Sequence, residues 1–341
     1  MTSAAVPSDR GERTLRELSD LITPMAIRVA VTLRIPQRIS ATAATAAELA
    51  ADTNSDTDVL ERVLAHLAGA GVLTRDENGR FGLTSLGTQL LIDDGRPEFL
   101  DLTTVVGRAE LSFVHLLDVV RSGDVVAYAA RYGTSFWADL GEEPSSAVQF
   151  DQVMADGMKK RVDEIAVAYD WAALGRVVDV GGGNGTLLVG LLRAHPTLRG
   201  TLLDRDAGPA TRALDEAGLS DRATALSGSF LEPLPPGAGG YVLSRVQSDW
   251  SDADVRIILG HCADAAGAHG RVLVIDEFTA DEGADTDTET DLRMLMYYGG
   301  KERTLEQARE LAASVGLTPR SIRRAADWTI MELGASGPAR R

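Results

Sequence analysis

Residues 176–204 read RVVDVGGGNGTLLVGLLRAHPTLRGTLLD, and the fold follows from them. The apolar run at 176–180 predicts a buried strand, the five residues 181–185 a turn, and 187–194 a helix. A second strand is predicted at 200–203, ending on Asp204. Outward from this unit the same grammar repeats. Strands are predicted at 223–226, 240–243 and 271–275, with helices at 210–217 and 253–266. Alternating strands and helices imply an α/β domain built on a doubly wound parallel sheet.

The loop Gly181-Gly182-Gly183-Asn184-Gly185 stands where a ligand approaches the backbone in such sheets, because a Cβ there would block it. The bland alternative is a tight turn with no ligand. Asp204, about twenty residues on, supplies the carboxylate that can accept two hydrogen bonds from a ribose diol. Together they point to a nucleoside-containing cofactor. The glycines fit the Gly-x-Gly-x-x-Gly dinucleotide spacing poorly, and Asp179 would sit badly beside a pyrophosphate. It suits a cationic group instead.

The N-terminal residues 1–97 predict a helical module. Leu15, Leu18, Leu21, Ile22, Met25, Ala26, Val29 and Leu33 form an apolar stripe that Pro24 should divide. Thr45-Ala46-Ala47-Glu48 has the form of a capping box. A second helix over 58–70 carries Val59, Leu60, Val63, Leu64 and Leu67 on one face, and Asn78-Gly79 predicts a hairpin. Helix, helix, hairpin is a winged-helix pattern. A DNA reader would present Lys and Arg on that helix, whereas this one carries Asp56, Asp58 and Glu61 against Arg62. Dimerisation or a substrate lid is the favoured role. Residues 98–168 predict a helical connector bearing Phe136, Trp137, Phe150 and Met154, either packed in a core or lining a pocket. The cofactor domain then spans 169–341.

The chain has 341 residues and a net charge of −16, which argues against gripping nucleic-acid phosphate or an anionic membrane face. No apolar run approaches the roughly 18 residues of a membrane helix. The polar first twenty residues hold no apolar signal core, so the expected compartment is the cytoplasm. The single cysteine, Cys262, excludes an internal disulfide. His66, His115, His195, His261 and His269 show no metal-ligand spacing, so no metal is expected; His261 should be a surface residue and Cys262 a core one. The acidic tract 281–289 is expected to be a solvated loop and the tail 334–341 disordered.

Several motifs occur in one order: Asp179 to Gly185, Asp204, Gly228-Ser229-Phe230, Asp249-Trp250, Asp291-Leu292-Arg293-Met294-Leu295 and Gly299-Gly300-Lys301-Glu302-Arg303-Thr304. In this the chain resembles the small-molecule S-adenosylmethionine-dependent O-methyltransferases, over nearly its whole length. Segments 132–140 and 169–174 resemble most the bacterial enzymes of aromatic polyketides, of the enediyne naphthoate O-methyltransferase type. The resemblance implies a Rossmann-like class I methyltransferase domain, an N-terminal winged-helix dimerisation domain, a homodimer and a small aromatic substrate. It implies S-adenosylmethionine, or bound S-adenosylhomocysteine, held by Asp179, Gly181, Gly183, Asp204, Ser229, Phe230, Ser244 and Trp250. Substrate contacts are implied for Trp137, Met154, Arg245, Arg293 and Met294.

One residue departs from the family. Methylating a hydroxyl requires removing its proton, usually to a histidine whose pKa lies near working pH. That histidine precedes Asp-Trp; here the run is Leu243-Ser244-Arg245-Val246-Gln247-Ser248-Asp249-Trp250, with Ser248 in its place. The supporting carboxylates correspond to Glu277 and Glu302. Ser248, Asp249, Glu277 and Glu302 are therefore the candidate catalytic residues. Three routes are open: positioning alone, another base such as Asp249, Glu277 or His115, or a different tailoring reaction on the same fold (coupling, hydroxylation or decarboxylation, or pericyclic). A ligand-responsive DNA binder is the alternative from another class. Arg245, a permanent cation, either meets an anionic substrate or closes a salt bridge.

Overall fold

The computed structural model describes residues 14–92, 99–123, 125–279, 288–325 and 327–336. The chain folds as two compact units, Met1–Arg108 and Ala109–Arg341.

In the first unit the apolar stripe divides as Pro24 requires, into helices Leu15–Leu18 and Ile22–Thr32. Asp20 Oδ1 and Oδ2 accept the Ile22 and Thr23 amides and start the second helix. The capping box is present: Thr45 Oγ1 accepts the Glu48 amide and Glu48 accepts the Thr45 amide, opening Ala46–Thr53. Asp56 caps Thr57–Gly69. The hairpin forms between β2 (Leu73–Arg75) and β3 (Arg80–Leu83), with Gly79 at φ +74°. A strand of two residues, β1 (Ala44–Thr45), pairs with β3 and completes a three-stranded sheet that the sequence reading missed. Leu60, Leu64, Leu67 and Phe81 fill the core. Leu15, Leu18, Leu21 and Ile22, by contrast, are between 62% and 81% exposed.

The second unit holds a seven-stranded sheet. Its strands are β4 (Arg176–Val180), β5 (Arg199–Asp204), β6 (Ala223–Ser227), β7 (Gly240–Ser244), β8 (Arg271–Asp276), β9 (Leu317–Ala325) and β10 (Trp328–Ala335). The order is β6-β5-β4-β7-β8-β10-β9, with β10 antiparallel to both neighbours. The five parallel strands lie where the sequence predicts them. The antiparallel pair was not foreseen, and it corrects the expected tail: Gly334 and Ala335 end β10, while 337–341 fall outside the described residues. Of the acidic tract, 281–287 also fall outside them, and Glu289 lies in the first turn of helix Thr288–Tyr298.

Alternate strand residues serve opposite faces, as a period of two demands. Val177, Leu202 and Val242 pack with Leu187, Leu188, Leu191 and Trp171. Val178, Val180, Tyr241 and Leu243 pack with Val255, Ile258, Leu259 and Cys262 on the other side. Strand order reverses between β4 and β7, the switch point at which doubly wound sheets open a crevice. Among the described residues no helix is long and apolar enough to cross a membrane.

Candidate active site

The loop after β4 is shaped by its glycines. Gly181 sits at φ +74° and its amide donates to Leu203 O at 2.8 Å. A Cβ on it would lie 3.2 Å from the Phe230 ring and 3.0 Å from Val246. Gly183, at φ +56°, donates its amide to Asp204 Oδ2 at 2.8 Å, while Asp204 Oδ1 accepts the Arg205 amide at 2.7 Å. Each carboxylate oxygen keeps a lone pair for a ligand. Beneath the loop Asp179 is 2% exposed and neither of its oxygens has a hydrogen-bond partner. Burial first, and then the charge of Asp204, push its carboxyl up to about 7. Asp151, on helix Pro144–Lys159, is pushed up to about 6 by burial and by Asp204 and Asp206. Sequence reasoning missed Asp151; nothing local marks it.

The opposite wall of this crevice is aromatic. Phe230 and Trp250 meet edge to face at 5.5 Å, and His261 Nδ1 lies 3.2 Å from Phe230 O. His261 is thus half-buried against the loop rather than on the surface, whereas Cys262 is in the core as expected. Ser229 is exposed and its hydroxyl accepts the Leu231 amide in a local turn. Ser244 Oγ, at the end of β7, is buried without a partner.

Beyond β7 the backbone turns sharply at Arg245, which is non-glycine at φ +55°. Its guanidinium closes a salt bridge to Asp276 Oδ1 at 3.2 Å and lies 3.9 Å from Glu302 Oε1. Asp276 Oδ1 also accepts the Glu277 amide. Burial pushes Asp249 up to about 8; Arg245 opposes it, and Asp276 and Glu302 add to it. Burial likewise pushes Glu302 up to about 7, against Arg245 and with Asp276, Asp291 and Glu277. Gln247 and Ser248 are 3% and 4% exposed, and none of their side-chain polar atoms has a partner. With Glu277 and Glu302 they line a small cleft.

Arg303 holds this region together from inside. It is 4% exposed, donates Nη1 to Gln247 O and to Lys301 O, and donates Nη2 to Trp250 O and Asp252 Oδ1. Lys301 N donates to Ser248 O at 2.8 Å, and a Cβ on Gly300 would overlap that same carbonyl. Gln247 and Arg303 lie within the sequence motifs, but nothing local assigns either one a role.

A second aromatic group forms the remaining wall. Trp137 stacks on Tyr298 at 4.9 Å and 14°, and meets Phe136 and Phe150 edge to face. Phe136 is buried core, whereas Trp137 is only half-buried and its Nε1 has no partner. The Trp137 carbonyl accepts from Arg205, whose guanidinium also lies 5.3 Å from the Trp137 ring centroid. Burial and the charge of Asp249 push the Tyr298 hydroxyl well above its ordinary value. Arg293 donates to Glu110 at 2.8 Å and pairs with Glu289 at 3.6 Å, and Tyr297 also donates to Glu110. Met294 is half-buried on the same helix. Met154 is 50% exposed, which rules out the core-packing alternative for it. His115 is spent on Asp118, three residues on. Among the described residues no three His, Cys, Asp or Glu side chains are grouped to hold a metal ion.

The O-methyltransferase domain model matches residues 113–318, and the O-methyltransferase dimerisation domain model matches 16–93. The 2,7-dihydroxy-5-methyl-1-naphthoate 7-O-methyltransferase of Streptomyces carzinostaticus is 49% identical, over 94% of this chain and 97% of that one. The aclacinomycin 10-hydroxylase of Streptomyces purpurascens is 42% identical, over 93% and 87% respectively. Among solved structures, an O-methyltransferase from neocarzinostatin biosynthesis superposes with a TM-score of 0.87 at 48% identity, covering 96% of this chain and 100% of that one. It was crystallised with S-adenosylmethionine and 2-hydroxy-5-methyl naphthoic acid.

Proposed function

The chain belongs to the S-adenosylmethionine-dependent O-methyltransferase family, and from that premise we propose that it methylates a hydroxyl of a naphthoate-like aromatic acid in the cytoplasm. The observation that carries this reading is Asp179, a buried carboxylate with two unpartnered oxygens under a glycine loop. A dinucleotide pyrophosphate would be repelled there, whereas an ammonium satisfies both oxygens. The residues fit the cofactor in three places. Asp179 would take its amino group, Asp204 its ribose hydroxyls, and Phe230 with Trp250 its adenine; Gly181 and Gly183 would leave the room, and Ser244 would supply a further hydroxyl. When bound, the cofactor supplies an electrophilic methyl group.

The chain's own part is to orient the acceptor and take its proton. The Trp137–Tyr298 stack offers a flat wall for an aromatic ring. Arg245 acts electrostatically on Tyr298, and Arg293 and Met294 lie on the helix that carries it; Met154 is a further candidate for acceptor contact, and a substrate carboxylate would meet Arg245 or Arg293. Alignment of hydroxyl and methyl supplies much of the rate, and Ser248, Asp249, Glu277 and Glu302 surround the proton to be lost.

Incubation with S-adenosylmethionine and a hydroxynaphthoate is expected to give methyl ether and S-adenosylhomocysteine in equal amounts by mass spectrometry. Product without S-adenosylhomocysteine would sink this reading. It would favour a non-methylating tailoring step instead, which Ser248 and the 42% identity to a hydroxylase keep as the second reading.

The exposed apolar residues of the dimerisation domain support a homodimer. Leu21 and Ile22 are 74% and 69% exposed, and monomers rarely leave such residues clustered in water. Replacing both with Glu is expected to give a folded monomer in sedimentation velocity; an unchanged dimer would place the interface elsewhere.

A further inference from the structure

Four buried polar atoms without partners converge on one cleft: Gln247 Nε2 and Oε1, Ser248 Oγ and Glu302 Oε1. Native proteins leave few such atoms, and a polar cavity that gathers several of them is where a bound water makes its two to four hydrogen bonds. The backbone that carries these side chains is pinned, and both residues are buried. Gln247 O is held by Arg303, and Ser248 O by the Lys301 amide. Of the carboxylates along the cleft, Asp276 Oδ1 is engaged by Arg245 and by the Glu277 amide, whereas Glu302 Oε1 has only Arg245 at 3.9 Å, beyond hydrogen-bond length.

We propose that Gln247 and Ser248 hold a water molecule that carries the substrate hydroxyl's proton to Glu302, so that this trio is the proton exit of the reaction. The inference rests on the methyl-transfer reading above. The substrate oxygen bonds to the methyl carbon as the carbon–sulfur bond breaks and sulfur keeps the electron pair. The hydroxyl proton passes to the water, and one of the water's own protons passes to Glu302 Oε1. Gln247 and Ser248 act as positioning residues. Glu302 is suited to receive a proton because its carboxyl already lies near 7. The groups facing it are Arg245 after β7, Asp249 in the turn beyond, Asp276 and Glu277 at the end of β8, and Asp291, whose Oδ1 accepts the Glu302 amide. Lys301 and Arg303 flank it on its own loop.

The test compares Glu302→Gln, Gln247→Leu and Ser248→Ala on hydroxynaphthoates of graded acidity, at one pH. Each variant is expected to slow a weakly acidic hydroxyl by about tenfold or more and an already ionised one by less than about twofold. Ser248→Ala, the smallest change, keeps the comparison available if the others fold poorly. A second readout needs no turnover. In the S-adenosylhomocysteine complex, the pH at which the bound hydroxynaphthoate ionises, followed by absorbance, should fall by about one unit or more in Glu302→Gln, because the Glu302 carboxylate disfavours a second negative charge beside it. Equal slowing of all substrates, with an unchanged ionisation pH, would overturn the relay and leave these residues a structural role. If the wild type forms no S-adenosylhomocysteine from any substrate, the methylation reading fails, and the absorbance titration still decides whether Glu302 governs the proton.

Discussion

Replacing Asp204 with Ala is expected to weaken S-adenosylhomocysteine binding by two orders of magnitude or more. Each hydrogen bond to a charged group contributes about 1.5–3 kcal/mol. Losing two from a ribose diol therefore removes on the order of 3–6 kcal/mol, roughly 100-fold to 10,000-fold in affinity. The loop suffers as well, since the Gly183 amide loses its acceptor. Titration calorimetry checks the figure, and an unchanged dissociation constant would remove Asp204 from the site. The same carboxylate sets the pH response of Asp179 below it. Burial and Asp204 raise Asp179 to about 7, so without ligand it is largely protonated in mild acid. An ammonium favours the ionised form, so binding releases a proton there, and affinity should climb as pH rises from about 5 towards 7 by up to tenfold per unit. Folding stability moves the other way. A carboxyl raised in the folded state binds more protons folded than unfolded, so its contribution is complete below about 4 and is lost as pH rises through about 7. Asp179→Asn should flatten both curves.

Arg303→Met should be the most damaging single change in the reaction half of the site. It strips Gln247, Lys301 and Trp250 of a donor to their carbonyls and breaks the pair with Asp252. Breaking a buried pair costs about 3–5 kcal/mol. Asp252 is 46% exposed and can rehydrate, so most of the loss comes from the carbonyls, at about 1–3 kcal/mol each. A loss of about 4 kcal/mol lowers the melting temperature by roughly 10 °C in a unit of this size. Lys is not expected to rescue it, because one ammonium cannot serve acceptors spread around a planar fork. A shift under about 2 °C by calorimetry would show that the 247–252 turn is held by other means.

What could be read in advance follows from how locally each feature is encoded. The inner parallel strands β4, β7 and β8 are buried on both faces, so they stand out as apolar runs such as Val177–Val180. β9 is an edge strand carrying Pro319, Arg320, Arg323 and Arg324, and its polarity hid both it and its partner β10. The glycine loop and Asp204 were legible because a single strand–turn–helix unit contains them. Arg303, Gln247 and Asp151 were not. Their roles depend on partners distant in sequence, as do Arg293 and Glu110, which pair across 183 positions. The N-terminal stripe was legible as apolar, but its periodicity alone does not distinguish a core face from an outward one, and most of it faces out.

The bond from Arg205 to the Trp137 carbonyl has a thermodynamic consequence. Arg205 follows Asp204, the carboxylate proposed to hold the nucleoside, and Trp137 carries the aromatic stack proposed to receive the acceptor. A ligand that stiffens the 204–205 turn therefore also fixes the platform for the other. Whatever factor the first gains for the second in affinity, the second must return in equal measure. Loosening that one link, by Arg205→Ala, should make the two ligands bind as strangers even if each still binds.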